Sequence, residues 1–215
     1  LIICDLNSTD GTYDLLQEKY QGNPQLKIYQ KEFYCQSDSF NFCVENATGM
    51  YLMQIGPCEV LSEKCLEIMF SELEDDPNFS LVCGGINNYN LTEDLEESSS
   101  LSSELDRIDS LNRLSFTRPV LFRKRDWSRV GGFNNFSSSS VLNFDFYFKL
   151  CEVGRAKQCF QKLISDKSHE RNSLDDDNSD IQKFKIIIND MLQRQGLSRF
   201  KIKHEYSENE SNVTK

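Results

Sequence analysis

The sequence has no long hydrophobic run, and it is short of both hydrophobic residues and positive charge. Hydrophobic residues make up 38% of the 215 residues. No apolar stretch approaches the roughly 20 residues that a membrane-spanning helix needs. The 34 acidic residues outnumber the 24 basic ones, which gives a formal net charge of −10. Nucleic acids and anionic membranes select basic surfaces, so this balance argues against both as the main partner.

The sequence also lacks a recognisable signal peptide, so we expect a cytoplasmic protein. The chain begins with Leu1 inside a predicted strand, not with Met. We therefore expect its true N-terminus to lie upstream, which leaves a targeting segment there open.

The eight cysteines lack the spacing of a metal site or a redox motif. No C-x-x-C pair occurs, and most of the cysteines lie in apolar strand or helix contexts. We interpret them as buried free thiols. Disulfides are the alternative, because the number of cysteines is even.

Short apolar segments alternate with helical patterns along most of the chain, which is long enough to bury a proper core. The predicted strands are 1–4, 26–29, 50–55, 80–86, 119–124 and 156–163. The predicted helices are 12–20, 37–45, 62–73 with Ser62 as its cap, a short helix through Trp127 and Val130, and 142–153. This alternation predicts an α/β fold with a parallel or mixed sheet.

Composition divides the chain into three parts. Residues 1–165 are predicted to form the α/β domain, interrupted at 87–115 by an acidic, Ser-rich insertion that contains EDLEESSSLSSELD. Residues 166–200 form a C-terminal extension with an amphipathic helix over 181–192. Residues 201–215 are predicted to be a disordered tail.

The opening segment, LIICDLNSTDG, carries the most information about function. A predicted strand ends there in a polar turn that contains Asp5 and Asp10, and such turns lie at the ligand-binding edge of α/β sheets. The segment resembles the strand–turn–helix that carries the nucleotide base in family 2 glycosyltransferases, usually written with two aspartates and then G-S-T-D-G-T. Asp5 matches the first of these aspartates, while Leu6 replaces the second.

The resemblance continues in order over residues 1–165. The segments FNFCVENATGMYLMQI, the helix 62–73 with its DDP ending, and RPVLFRKRDWSRVGGFNN followed by FDFYFKLCEVG are similar to successive blocks of the family. The resemblance implies a GT-A-type fold, a mixed and mostly parallel sheet flanked by helices. The family's first strand precedes the segment that opens this chain, so we expect the sheet to lack that strand and the chain to be a fragment.

The resemblance also implies a divalent cation, Mn²⁺ or Mg²⁺, which in this family usually holds the donor diphosphate on a D-x-D sequence. The corresponding residues 56–59 read GPCE, so both aspartates are absent. Glu59 is at most the one metal ligand, and its alternative role is to interact with a helix dipole. We therefore predict no metal site of the usual kind.

The family's general base for the acceptor hydroxyl is an acidic pair, which here aligns with Leu142 and Asn143. An amide does not accept a proton usefully at neutral pH. Asp145 matches a later aspartate of the same block and becomes the predicted catalytic residue if the local register shifts. Without that shift it is a solvated or structural carboxylate.

Three residues are implied to bind the nucleotide sugar. Asp5 would contact the base. Asn41 matches the family's Arg-Asn pair, in which Phe40 replaces the arginine, and its alternative role is capping or bonding within the scaffold. His169 falls where many relatives carry a histidine that faces the diphosphate or its metal, and otherwise it is solvent-exposed.

Further along the chain, Gly131 and Gly132 predict a tight turn near the acceptor. Trp127 is predicted to lie in the core or to cover an edge of the sheet.

Three functions remain open from the sequence. The first is transfer of a sugar from a nucleotide-sugar donor to a hydroxyl acceptor, with degraded catalytic motifs. The second is a non-catalytic glycosyltransferase-like domain that binds a glycan or nucleotide, or serves as a scaffold beside a further domain in the same polypeptide. The third is an unrelated α/β binding module with coincidental similarity.

Overall fold

The computed structural model describes residues 1–56, 59–84, 104–105, 118–135, 139–159, 161, 163–166, 178–194 and 196. The chain divides into two compact units, residues 1–171 and residues 172–215. The second unit contains one described helix, Asn178–Arg194. Among the described helices, none is long and apolar enough to cross a membrane.

Strands and helices alternate along the first unit, as the sequence predicts. In chain order the elements of the whole chain are β1 (Ile2–Asp5), α1 (Thr12–Tyr20), β2 (Lys27–Gln30), α2 (Gln36–Asn46), β3 (Tyr51–Gln54), β4 (Glu59–Leu61), α3 (Cys65–Glu74), β5 (Phe79–Cys83), β6 (Glu104–Leu105), β7 (Val120–Arg123), α4 (Lys124–Val130), α5 (Ser139–Val153), β8 (Arg155–Gln158), β9 (Ile164–Asp166) and α6 (Asn178–Arg194).

The central sheet has five strands in the order β3-β7-β5-β8-β6. Its β5–β8 pairing is parallel, whereas β3–β7, β5–β7 and β6–β8 are antiparallel. Two smaller sheets pair β1 with β2 in parallel and β4 with β9 in antiparallel fashion. Among the described strands, β1 is paired with β2 alone.

The expectation of a mixed α/β sheet flanked by helices is confirmed, but the expectation that the sheet is mostly parallel is wrong for the described strands. Two of their six pairings are parallel and four are antiparallel. The main cause is β7, which lies between β3 and β5 and runs against both of them. An apolar strand pattern carries no information about chain direction, so the sequence could not reveal this reversal.

The central sheet is buried on both faces. One hydrophobic cluster joins its strands to α2 and α5 and includes Phe122 and Phe146, while the other joins them to α3 and includes Met69 and Leu121. Phe122 and Leu121 are neighbours in β7, and successive residues of a strand point to opposite faces. Helices α2 and α5 therefore lie on one face of the central sheet, and α3 lies on the other.

Several predicted elements differ from the observed ones in their boundaries or caps. Helix α3 begins at Cys65, and its N-cap is Lys64 without a side-chain cap, so the prediction that Ser62 caps it is wrong. The Ser62 carbonyl instead accepts a backbone hydrogen bond of 3.0 Å from Cys65. The short strands β4, β6 and β9 were not predicted.

Other predictions fall wholly or largely outside the described residues. The insertion at 87–115 contributes only β6 to the described structure, where this strand pairs with β8. The tail at 201–215 and His169 lie outside the described residues.

The seven described cysteines are free, which agrees with the prediction of unpaired thiols, and Cys58 lies outside the described residues. Cys65, Cys83, Cys151 and Cys159 are buried. Burial raises the pKa of the Cys83 thiol well above its ordinary value, and it raises the pKa of Cys43 to about 11. These thiols are therefore protonated and unreactive in the folded protein at neutral pH.

Candidate active site

Four strands of the central sheet bring their ends together at one edge. Gln54 of β3 and Cys83 of β5 both lie opposite Val120, the first residue of β7, and Gln158 of β8 lies opposite Cys83. The carboxyl ends of β3, β5 and β8 therefore meet the start of β7. This is the edge at which open α/β sheets bind ligands.

An ion pair between a buried carboxylate and a partly exposed arginine lies at this edge. The side chain of Glu59 is 3% exposed, and its Oε2 lies 2.8 Å from Nη2 of Arg118. The same oxygen accepts a hydrogen bond of 2.6 Å from the backbone N–H of Gly56. Arg118 Nη2 also donates to the carbonyl of Gln54, at 3.0 Å. Glu59 and Arg118 thus bind the backbone polar groups of Gly56 and Gln54 at the end of β3.

Neighbouring residues hold this pair tightly. A Cβ on Gly56 would lie 3.2 Å from the carboxyl group of Glu59, and a Cβ on Gly84 would lie 2.9 Å from the carbonyl oxygen of Arg118. The phenol of Tyr147 is buried nearby. Burial raises the pKa of Tyr147, the charge of Arg118 lowers it, and the charge of Glu59 adds to the rise.

The residues at the end of β3 do not fit the divalent cation that the family implies. A hard cation needs several oxygen ligands, and Glu59 already has Arg118 as its partner. No group of three or more His, Cys, Asp or Glu side chains that could hold a metal occurs among the described residues. We therefore derive no chemistry from a metal here.

Asp5 lies at the carboxyl end of β1 and is buried. Its Oδ2 accepts hydrogen bonds from the backbone N–H of Ser8, at 3.1 Å, and from Nε2 of Gln30, at 3.3 Å. The Ser8 hydroxyl, followed by the Ser8 backbone and Gln30, holds the pKa of Asp5 below its ordinary value against the effect of burial. Asp5 is therefore a fixed carboxylate that is charged at neutral pH.

Asp10 lies in the turn after β1 and is exposed. It accepts hydrogen bonds from the backbone and hydroxyl of Thr12, at 3.0 and 2.6 Å. It therefore fixes the start of helix α1.

Asn41 holds the turn that follows α4. Its Nδ2 donates to the carbonyl of Phe133 at 3.0 Å, and its Oδ1 accepts from the Phe133 N–H at 2.9 Å and from Trp127 Nε1 at 3.3 Å. Gly131 and Gly132 have φ angles of 77° and 75°, which confirms the predicted tight turn. The structure thus gives Asn41 a bonding role within the scaffold, and its contact with a nucleotide stays a prediction.

Asp145 is buried in helix α5, and its Oδ2 lies 3.6 Å from Nζ of Lys149. Lys149 Nζ also donates to the carbonyl of Gly132, at 2.6 Å. Asp145 is therefore not a solvated carboxylate, and it faces an ammonium group inside the protein. The catalytic role of Asp145 stays a prediction, as does the register shift that it requires.

The structure brings some predicted site residues together and leaves others apart. Asn41 and Lys149, the partner of Asp145, converge on the turn at Gly132. Glu59 lies with Arg118 at the end of β3, and Asp5 lies in the separate β1–β2 sheet. Helix α2 contacts β1 and contributes to the core beside β3, so it connects the two sheets.

Arg118 and Lys149 were not predicted as candidate site residues. Arg118 immediately precedes the predicted strand 119–124, and its partner Glu59 is distant in sequence. Lys149 lies four residues after Asp145, and an i,i+4 acid–base pair in a helix is a usable signal.

Comparison with known proteins places the chain in a family. The model for Glycosyl transferase family 2 matches residues 1–144. A chondroitin synthase from Escherichia coli is 27% identical over 212 residues, with 93% of this chain and 29% of that protein covered. A hyaluronan synthase from Pasteurella multocida is 25% identical over 209 residues, with 92% and 20% covered. The chain spans less than a third of the length of these relatives.

Solved structures show the same fold. S. aureus TarS 1-349 in complex with UDP-GlcNAc has a TM-score of 0.66 and 14% identity, and the match covers 89% of this chain and 57% of that one. A mannosyltransferase from Pyrobaculum calidifontis in complex with GDP-Man and Mn²⁺ has a TM-score of 0.59 and 16% identity, with 80% and 48% covered. The fold is of the GT-A type, and the chain belongs to glycosyl transferase family 2.

Proposed function

We propose that this domain binds a nucleotide-sugar donor and transfers its sugar to a hydroxyl acceptor, such as that of a glycan. Two structural neighbours hold UDP-GlcNAc and GDP-Man, and the relatives are a chondroitin synthase and a hyaluronan synthase. The observation that carries the proposal is Asp5, a buried and fixed carboxylate at the carboxyl end of β1. The resemblance to the family implies that this position contacts the nucleotide base.

The proposed role of Asp5 follows from its hydrogen bonds. Ser8 and Gln30 both donate to Oδ2. An ionised carboxylate accepts several hydrogen bonds, so capacity remains for an N–H group of a nucleotide base. The lowered pKa of Asp5 keeps it ionised at neutral pH, and hydrogen bonds to a charged acceptor are the stronger ones.

A non-catalytic domain that binds the donor, beside a further domain in the same polypeptide, is the second candidate. The surroundings of Asp145 favour it, because this carboxylate is buried 3.6 Å from Lys149. Asn143, which aligns with the family's acidic pair, offers an amide that cannot take the acceptor proton. Donor binding is common to both candidates, and turnover separates them.

Donor binding is tested by calorimetry with UDP, GDP and dTDP on wild-type protein and on two matched variants. We expect Asp5→Ala to weaken binding about tenfold or more, because a charge-assisted hydrogen bond to the base is lost. Asp10→Ala removes the bonds to Thr12 in the turn, so it should lower stability and leave the affinity within about twofold. An equal loss of affinity in both variants would contradict the assignment of Asp5.

Transfer is tested by the release of nucleoside diphosphate from UDP-GlcNAc and GDP-mannose, with chondroitin oligosaccharides as the acceptor. Release that depends on the acceptor supports the first candidate. Tight binding without release supports the second. Absence of binding from folded protein would overturn both candidates.

A further inference from the structure

We propose that Arg118 supplies the positive charge that holds the donor diphosphate, so that nucleotide binding by this domain does not require a divalent cation. The inference rests on the proposed binding of a nucleotide sugar, and it concerns the end of β3, the edge at which Gln54, Glu59 and Arg118 meet. A nucleoside diphosphate is the ligand class that it addresses.

The carboxylate of Glu59 already has protein partners. Its side chain is 3% exposed, and one oxygen contacts both Arg118, at 2.8 Å, and the Gly56 N–H, at 2.6 Å. A cation that bound Glu59 would have to displace the guanidinium group from a carboxylate that is 3% exposed. Separating such a carboxylate from its partner is unfavourable.

The charges of Glu59 and Arg118 balance each other without a metal ion. In the usual family site, two aspartates carry two negative charges and the divalent cation carries two positive ones. Here Glu59 carries one negative charge and Arg118 carries one positive charge, so the local sum is the same without a metal. Arginine also presents several N–H donors in a planar fork that matches phosphate oxygens.

The guanidinium group of Arg118 retains capacity to donate further hydrogen bonds. Nη2 is used by Glu59 and by the Gln54 carbonyl. Nε is buried and makes no hydrogen bond in the described part of the chain, and the same holds for the side-chain oxygen of Gln54. A buried donor without an acceptor costs free energy, so the present contacts leave this guanidinium group with unused donor capacity. The Arg118 side chain is 24% exposed, so it can be reached from solvent.

The backbone around Arg118 fits the role of a fixed cation. The N–H of Gly84 donates to the carbonyl of Pro119 at 2.7 Å, and Gln158 Nε2 donates to the carbonyl of Gly84. Arg118 is therefore anchored between the ends of β3 and β5, and its charge is positioned before the ligand arrives. Such preorganisation lowers the cost of binding.

The first test is calorimetry of the wild-type chain with UDP, GDP and dTDP, in EDTA and in manganese. We expect affinities within about twofold of each other in the two conditions. Binding that disappears in EDTA would overturn the inference and leave the proposed function standing. The absence of binding under both conditions, from folded protein, would overturn the inference and the proposed function together.

Two variants at the same ion pair give opposite predictions. Arg118→Gln should weaken binding about tenfold or more, because it removes a charged donor to phosphate. Glu59→Gln should increase the affinity, because it leaves the Arg118 charge without its carboxylate partner and a diphosphate can replace that partner. If Glu59 were a metal ligand, the second variant would instead weaken binding and reduce its dependence on manganese.

Arg125→Gln is the matched control. Its side chain is 59% exposed and its Nη2 donates to the carbonyl of Pro77, beyond the opposite end of β7. We expect wild-type affinity from this variant. If Arg118→Gln does not fold, Arg118→Lys keeps the charge without the planar fork and should weaken binding less. Unchanged binding by a folded Arg118→Gln variant would overturn the inference.

Discussion

At the scale of single residues, the site contains carboxylates with very different partners. Asp5 accepts hydrogen bonds from neutral groups, whereas Glu59 faces Arg118 and Asp145 faces Lys149. Among these three, Asp5 is therefore the carboxylate whose charge is not matched by a cation in the described structure. This difference is the physical reason to assign ligand binding to Asp5.

The stability of the protein should depend on pH through Asp5. Its pKa is lowered in the folded state, chiefly by the Ser8 side chain, so the charged form stabilises the fold. That contribution is complete above the unfolded pKa, about 3.9, and is lost as the pH falls through the lower folded pKa. We expect Asp5→Asn to reduce the free energy of unfolding by about 1–2 kcal/mol at pH 7.

Urea denaturation of wild-type protein and Asp5→Asn between pH 7 and pH 3 checks this prediction. The difference between the two proteins should shrink below about pH 4, because Asp5 of the unfolded wild-type chain then binds a proton more readily than Asp5 of the folded protein. A difference that stayed constant down to pH 3 would contradict the assigned role of these hydrogen bonds.

At the scale of elements, the turn after α4 joins three helices. Asn41 of α2 and Lys149 of α5 both bond to this turn, and α4 ends at Val130 immediately before it. The turn requires positive φ angles at Gly131 and Gly132, and residues that carry a side chain rarely adopt such angles. The two glycines differ in what surrounds them.

Gly131→Ala and Gly132→Ala form a matched pair. An alanine Cβ at position 131 meets nothing within 4 Å, whereas one at position 132 would lie 2.6 Å from Oδ1 of Asn41. We expect Gly131→Ala to cost about 1–2 kcal/mol through backbone strain alone. Gly132→Ala should cost at least about 1 kcal/mol more, because it also displaces the Asn41 bonds to Phe133. Equal losses in urea denaturation would contradict this account.

Elements with clear start and stop signals in the local sequence could be predicted. Elements that form by pairing with distant segments could not. Helix α1 spans Thr12–Tyr20 as predicted, because Gly11 precedes it and an apolar pattern follows. Strands β4 and β9 have three residues each, too few to show alternation, and they form by pairing with each other. Their formation is decided by tertiary pairing, not by local propensity.

The same distinction holds for the candidate site. Asp5 could be identified because its strand, turn and helix are contiguous in sequence. The pairing of Glu59 with Arg118 could not be predicted, because β4 and the segment that precedes β7 meet only after the sheet has formed. Asn41 was identified by its position, but its bonds to Phe133 depend on a turn far along the chain.

At the scale of the whole molecule, a buried arginine connects the α3 layer to the central sheet. Arg123 of β7 donates to the Phe79 carbonyl at 2.9 Å and to the Leu73 carbonyl at 2.7 Å, and it pairs with Glu74 at 2.6 Å. It therefore satisfies the end of α3 and the start of β5 at once. Such carbonyls would otherwise be left without donors.

Arg123→Met should lower the free energy of unfolding by about 2–4 kcal/mol, because two buried carbonyls lose their donor. Arg125→Met is the control, since that side chain is largely exposed, and it should change stability by at most about 0.5 kcal/mol. Thermal and urea denaturation of both variants give the comparison. Similar losses of stability from both variants would contradict the role assigned to the buried hydrogen bonds of Arg123.

The buried free thiols make local unfolding of the protein measurable by thiol labelling. Cys65 and Cys159 belong to the hydrophobic cluster beside α3, while Cys83 and Cys151 belong to the cluster beside α5. A thiol reagent can modify them only when the surrounding structure opens, so labelling rates report local and global unfolding separately for each face of the sheet. Labelling of the wild-type chain thus allows the opening of the two halves of its core to be followed separately, without any engineered cysteine.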